Sequence, residues 1–277
     1  MADQRDDAPA LKMIDIHIPV FAYHKKPDGS LENPKPIIYG TAFPIAPGLF
    51  ATAAHVVNDA KGDGTIGLGH SSGAGQPYVH HDVPQVEVCE PIDFALLSCP
   101  GLAHLPTLPI DFDYPLRMLD VVFAYGFPLA LDVESVTCIP RAFAGHVVTR
   151  RKLYQVAAEP PGYEVSFFAP KGLSGAPLLS QKSGKPLCYG YLIQQATIGL
   201  GAETTPVGIA ISIETILGVN SKIAHGPLAK LFGKEFTPIP PPAPKPLPGG
   251  VHVPNPELEQ GWPEHDPSPG EKSMEHK

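Results

Sequence analysis

Short apolar or alternating stretches, each closed off by glycine or proline, recur along the whole front of the chain. They fall at residues 14–20, 37–43, 83–88, 94–98, 121–125, 145–148, 163–168, 190–194 and 208–213. Runs of this length bounded by turn residues predict β-strands. Sustained 3.6-residue periodicity is missing, so helix is expected only as short pieces near 215–219 and 227–232. The pattern predicts an all-β fold without internal repeats. A Pro-rich stretch at 101–115 reads as a linker between two halves, and the Gly- and Ser-rich stretch 62–75 reads as a flexible surface loop. The Gly67-Leu68-Gly69 inside it lacks the strand-to-helix setting of a phosphate-binding loop.

The pattern stops at Thr237. Pro238, Pro240, Pro241, Pro242, Pro244, Pro246 and Pro248 crowd together, and polar and charged residues follow to Lys277. Such a segment buries too little apolar surface to offset its ordering entropy, so disorder or extended polyproline II is expected. It is either an inert tail or a ligand for a proline-recognising partner, with the single tryptophan, Trp262, as an anchor. The expected organisation is an N-terminal extension at 1–12, a domain at 13–235 and a Pro-rich tail at 236–277. Within the domain, a first half covers about 13–105, a second about 116–220, and a short helical segment reaches 235.

Composition narrows the class. A chain of 277 residues is long enough for one all-β domain or two small ones, held by their own packing without staples. The net charge of −8 argues against non-specific nucleic-acid or anionic-membrane partners. The one basic cluster, Arg150-Arg151-Lys152, reads as a solvated hairpin tip. The four cysteines, Cys89, Cys99, Cys138 and Cys188, show neither a C-x-x-C pair nor zinc spacing. An even count leaves a disulfide framework open, but the scatter favours free thiols in a reducing compartment. The N-terminus is acidic and lacks a signal-peptide pattern. No apolar run approaches the ~18–20 residues needed to span a bilayer. A soluble, cytoplasmic protein is expected. His70, His80, His81 and Asp82 resemble metal ligands, but adjacent strand residues point to opposite faces. No metal or cofactor is expected, and His146 reads as structural.

The chemistry lies in three motifs. His55 follows an apolar run in Ala51-Thr52-Ala53-Ala54-His55-Val56. Asp93 opens Asp93-Phe94-Ala95-Leu96-Leu97, and Ser174 sits in Lys171-Gly172-Leu173-Ser174-Gly175-Ala176-Pro177. A serine hydroxyl near neutral pH needs a base within hydrogen-bond reach, which a histidine supplies. A carboxylate fixes the tautomer of that histidine and stabilises its protonated form. Each motif alone is weak; their order and separation together point to nucleophilic acyl transfer.

At these residues the chain resembles the trypsin/chymotrypsin superfamily of serine peptidases, in particular the disulfide-free branch that includes the HtrA (Deg) proteases. Gly40-Thr41-Ala42-Phe43, Val121-Val122-Phe123-Ala124-Tyr125-Gly126-Phe127-Pro128, Gly145-His146-Val147-Val148 and Gly190-Tyr191-Leu192-Ile193 carry the rest of the likeness. It covers about 14–232 and stops short of a PDZ domain. Leu173 stands where zymogens of the family carry an aspartate that pairs with a newly cut N-terminus, so no maturation cleavage is expected. Ala176 replaces a family glycine, and Val56 a cysteine of disulfide-bearing relatives.

The resemblance implies two antiparallel β-barrels with the active site in the cleft between them. It implies a serine endopeptidase in which Ser174 attacks, His55 moves the proton and Asp93 orients His55, while the amides of Gly172 and Ser174 form the oxyanion hole. Protein or peptide is the expected substrate. The alternatives are an inactive binding module that recruits partners through the tail, and an esterase on the same scaffold. Aligned on the serine motif, Phe168 falls near the base of the specificity pocket. Its walls are expected from Ala169-Pro170-Lys171, Ile193-Gln194-Gln195 and Gly208-Ile209-Ala210. None supplies the carboxylate that a Lys or Arg side chain would need, so small or medium apolar residues are expected before the scissile bond. The alternative is that Phe167 or Phe168 belongs to the barrel core.

Overall fold

The computed structural model describes residues 16–24, 26, 37–71, 78–128, 131–132, 137–182, 185–200 and 203–235. The expected N-terminal extension and the Pro-rich tail with Trp262 lie outside them, as does the side chain of Cys138.

Seven strands build the first half: β1 (Ile18–Tyr23), β2 (Ile37–Ala46), β3 (Leu49–Ala53), β4 (Thr65–His70), β5 (Val79–Asp82), β6 (Gln85–Cys89) and β7 (Phe94–Ser98). They pair antiparallel in the order β5-β4-β1-β2-β3-β7-β6, a sheet curled into a half-barrel. The second half begins with β8 (Val121–Gly126) and the two-residue strands β9 (Leu131–Asp132) and β10 (Thr137–Cys138). It continues with β11 (Arg141–Lys152), β12 (Pro161–Val165), β13 (Pro177–Lys182), β14 (Lys185–Leu200) and β15 (Glu203–Ser212). Strands β11-β12-β15-β14-β13-β8 close into a barrel. The architecture is the all-β, chymotrypsin-like double barrel that the sequence predicts.

Apolar side chains fill both halves. Val122, Ala124, Val147, Tyr163, Val165, Leu178, Tyr189 and Leu192 are buried inside the closed barrel. Ile18, Val20, Phe43, Phe50, Leu68, Phe94 and Leu96 form the first core, which runs on without a break into Tyr191, Ile193, Ile209 and Ile211 of the second half. Burying each such side chain stabilises the fold by about 1.5–3 kcal/mol, so this shared core resists separation of the halves.

The structure departs from the sequence reading in three places. A nine-residue helix, α1 (Ala54–Gly62), follows β3, where the sequence pattern predicts no helix. The stretch expected to be a flexible loop instead contains β4, with Ile66 and Leu68 in the core. Its glycines leave room for aromatic rings. A Cβ on Gly67 would meet the His80 ring at 2.4 Å, and one on Gly69 the Phe21 ring at 2.7 Å. Arg150-Arg151-Lys152 ends β11 rather than forming a hairpin tip. Arg150 pairs with Glu214 at 2.7 Å and Arg151 with the buried Glu164 at 2.5 Å.

Candidate active site

His55 owes its position to Asp93. Strand β3 ends in extended backbone at Ala53, and α1 starts without a side-chain cap of its own. The missing acceptors come from the residue just before the neighbouring strand β7, whose Phe94 pairs with Ala53. Ala54 N–H donates to the Asp93 carbonyl at 3.1 Å, and His55 N–H to Asp93 Oδ1 at 3.0 Å. Asp93 holds a left-handed backbone, φ 47°, just after the 3-10 turn Glu90–Ile92, a conformation that aspartate tolerates better than most residues. Its carboxylate sits at the positive end of α1, where negative charge is favoured. The same carboxylate holds the imidazole, with Oδ2 2.8 Å and Oδ1 3.1 Å from Nδ1. An ionised carboxylate only accepts hydrogen bonds, so Nδ1 carries the proton and Nε2 of the neutral ring is left as a base. The two side chains are 39% and 21% exposed.

Ser174 sits on two tight turns in series. Leu173 N–H donates to the Pro170 carbonyl and Ala176 N–H to the Leu173 carbonyl, both at 3.0 Å. The third residue of each turn is a glycine with positive φ, Gly172 at 96° and Gly175 at 80°, as such turns require. Neither site has room for a side chain. A Cβ on Gly172 would lie 2.6 Å from the Phe127 carbonyl oxygen, and one on Gly175 2.2 Å from that of Thr41. Leu173 is fully buried in the closed barrel. Among the described residues, neither the Gly172 nor the Ser174 amide has an intramolecular acceptor. Ser174 Oγ donates to the Ile193 carbonyl at 3.2 Å rather than to His55. Ile193 is the extra residue of a bulge, since Leu192 pairs with Ala210 and Gln194 with Ile209.

Each half ties down the other's part of the site. Thr41 of β2 donates from its N–H to the Ser174 carbonyl at 2.8 Å and from Oγ1 to the Gly172 carbonyl at 3.0 Å. In the other direction, Tyr191 of β14 donates to the Ile92 carbonyl at 2.7 Å and Ala158 N–H to the Pro91 carbonyl at 2.8 Å, just before Asp93.

His55, Asp93 and Ser174 line one cleft of about 760 Å³. Phe168, Ala169, Lys171, Ile193, Gln194 and Gln195 line it too, but Gly208 does not. Gly208 is buried in the β12–β15 ladder, and a Cβ there would meet the Val165 side chain at 2.8 Å. The adjacent phenylalanines divide: Phe167 belongs to the barrel core, whereas Phe168 is 47% exposed at the cleft surface. On the Phe168 side, from Phe168 to Lys171 and from Ile193 to Gln195, no lining residue is acidic. Sequence reasoning missed Glu90 and the loop residues Gln155, Val156 and Ala157, which complete the lining. Their sequence context carries no chemical signal; only the paths of the turn before Asp93 and of the β11–β12 connection bring them there.

Outside the cleft, His80 packs against the rings of Phe21 and Tyr23, at 4.9 and 3.9 Å between centroids. The pKa of His81 is lowered by burial and by His70 and His104 nearby. Among the described residues no cluster could hold a metal ion. Cys89, Cys99 and Cys188 are free thiols, and burial pushes Cys99 up to about 11 and Cys188 up to about 12.

A curled β-sheet facing a closed six-stranded barrel places the protein in the chymotrypsin-like class of folds. A family profile described as the trypsin-like peptidase domain matches residues 40–187, more than half of the chain, and the chain belongs to that family. Among solved structures it is similar to the Rv3671c protease from M. tuberculosis in its active form. The TM-score there is 0.51 at 18% identity, covering 81% of this chain and 83% of that one. It is also similar to an inactive, serine-to-alanine mutant form of Rv3671c from M. tuberculosis H37Rv, with TM-score 0.50 at 17% identity over 81% and 90% of the two chains. At such identities the likeness establishes the fold. No curated protein sequence matches this chain.

Proposed function

We propose that the protein is a serine endopeptidase that cleaves peptide bonds through an acyl-enzyme, with His55, Asp93 and Ser174 as its catalytic residues. The observation that carries this reading is the meeting of three features in one cleft. They are a histidine held by a carboxylate at 2.8 Å, a serine on a glycine-framed turn, and the unengaged amide of that serine. Ser174 Oγ leaves the Ile193 carbonyl by rotation about χ1 and engages Nε2 of His55. It then attacks the scissile carbonyl while His55 takes its proton. Asp93 stabilises the imidazolium, and the amides of Gly172 and Ser174 receive the oxyanion. One such donor is worth on the order of 10²–10³ in rate. His55 returns the proton to the leaving amine, and water completes the cycle by the same path. The cleft favours small or medium apolar residues before the scissile bond, because an unpaired cation buried beside Phe168 has no carboxylate to meet. The free thiols fit a reducing, cytoplasmic compartment, and the Pro-rich tail is proposed to serve a proline-recognising partner.

One observation favours the alternative of an inactive binding module: the Ser174 hydroxyl is turned toward Ile193. Fluorophosphonate labelling separates the readings, and a peptide library then separates peptidase from esterase. Wild-type protein, with its N-terminus uncut, is expected to label at Ser174 and to cleave peptides. Ser174→Ala and His55→Ala should each remove nearly all turnover, and their combination should cost little more, because such residues act as a unit. Peptide cleavage by folded Ser174→Ala protein would refute the assignment.

A further inference from the structure

We propose that Thr41, a fully buried residue of the first half, is a positioning residue that fixes the amide of Ser174 and so sets the turnover rate. This inference rests on the reading of Ser174 as the nucleophile. The hydrogen bonds around the serine leave little else for Thr41 to do. The Ser174 N–H belongs to the peptide unit between Leu173 and Ser174, and the units on either side are bonded at both ends. In the unit before, the Gly172 carbonyl accepts from Thr41 Oγ1 at 3.0 Å and Leu173 N–H donates to Pro170 at 3.0 Å. In the unit after, the Ser174 carbonyl accepts from Thr41 N–H at 2.8 Å and Gly175 N–H donates to Leu192 at 2.7 Å. The Leu173 carbonyl is taken by Ala176 N–H at 3.0 Å. Of this run, the Ser174 amide alone has no acceptor among the described residues, and one threonine holds both flanking carbonyls.

Thr41 is itself held. Its Oγ1 accepts from Phe127 N–H at 3.3 Å, and its carbonyl accepts from Thr52 Oγ1 at 2.8 Å. The hydroxyl thus donates once and accepts once, spanning from Phe127 to the serine turn. It fits because position 126 is glycine: a Cβ there would lie 2.6 Å from Thr41 Oγ1. Valine has the shape of threonine without the hydroxyl. Thr41→Val keeps the backbone bond to Ser174 but frees the Gly172 carbonyl, letting the first turn rotate. A misplacement of about 1 Å at a reacting centre can cost on the order of 10²-fold in rate.

The test compares Thr41→Val, Thr41→Ser and Ser180→Ala in the full-length protein. Ser180 provides the control, since its hydroxyl donates to the Val121 carbonyl at 2.7 Å on β13, beyond the serine turn. The readouts are kcat and KM on a library-selected peptide, melting temperature, and amide exchange of a peptide covering residues 170–176. Thr41→Val should lower kcat about 10–100-fold with KM within about threefold, and should speed exchange of that peptide. Thr41→Ser should restore both. Ser180→Ala should lower the melting temperature with kcat within about twofold of wild type. A Thr41→Val kcat within twofold of wild type, or a Thr41→Ser enzyme no better than Thr41→Val, would overturn the inference. Wild-type protein that neither turns over nor labels at Ser174 would instead overturn the functional reading, and with it the kinetic half of this one. A loss in Thr41→Val beside sound wild-type turnover bears on Thr41 alone.

Discussion

Replacing Tyr191 by phenylalanine tests the bond that ties the second half to the turn before Asp93. The ring is fully buried, and its hydroxyl is 2.7 Å from the Ile92 carbonyl. Phenylalanine keeps the ring and vacates one oxygen's space, so the cavity term is small. What remains is a buried carbonyl without its donor, a loss of about 1–3 kcal/mol. For a body of this size that corresponds to roughly 2–12 °C in melting temperature. Urea unfolding of both proteins at pH 8 measures the gap, and its pH dependence identifies the cause. Burial raises the Tyr191 hydroxyl well above its ordinary value near 10. Below pH 10 the hydroxyl is protonated in both folded and unfolded chains, so its contribution is fully present. Above pH 10 the unfolded chain loses this proton first and the folded chain keeps it. Stability then falls by about 1.4 kcal/mol per pH unit for this one group. Tyr191→Phe lacks the group, so the gap between the two proteins should narrow from pH 10 upward. A gap below about 0.5 kcal/mol at pH 8, or one that is unchanged at pH 11, would refute the argument.

Two further outcomes follow from the cleft and the serine turn. Phe168→Ala should shift cleavage toward larger apolar residues before the scissile bond, read from a peptide library; dominance of Arg or Lys in the wild-type library would reject the pocket. Gly175→Ala sets a side chain at φ 80° against the Thr41 carbonyl and Thr52 Oγ1. It should destabilise the fold by about 2–4 kcal/mol and reduce fluorophosphonate labelling; wild-type melting and labelling would contradict the turn argument.

What the sequence makes legible is local. The strands announce themselves because their apolar side chains face a core within a few residues' reach. The serine turn does so because its two glycines are a backbone requirement. The features the sequence hides are those completed from afar. Helix α1 carries no cap in its own sequence because the cap is Asp93, thirty-eight positions on. Strand β4 reads as a loop because its glycines answer to the rings of Phe21 and His80 on neighbouring strands. Thr41 looks like any strand threonine until the fold brings Gly172, 131 positions away, to its hydroxyl. Phe168 and Gly208 show the same limit: alignment brings both near the specificity pocket, but only Phe168 reaches the cleft surface.

Under the proposed function, the reciprocal clasp between the halves has a consequence for how a protein-cutting molecule stays harmless. Thr41 grips the turn of Ser174 from one side, while Tyr191 and Ala158 grip the turn of Asp93 from the other. These ties are uncharged, so added salt screens none of them. When thermal motion or damage parts the halves, the proposed nucleophile and base lose their supports together. A half-open molecule is therefore a disarmed one, and competence returns only when both halves close.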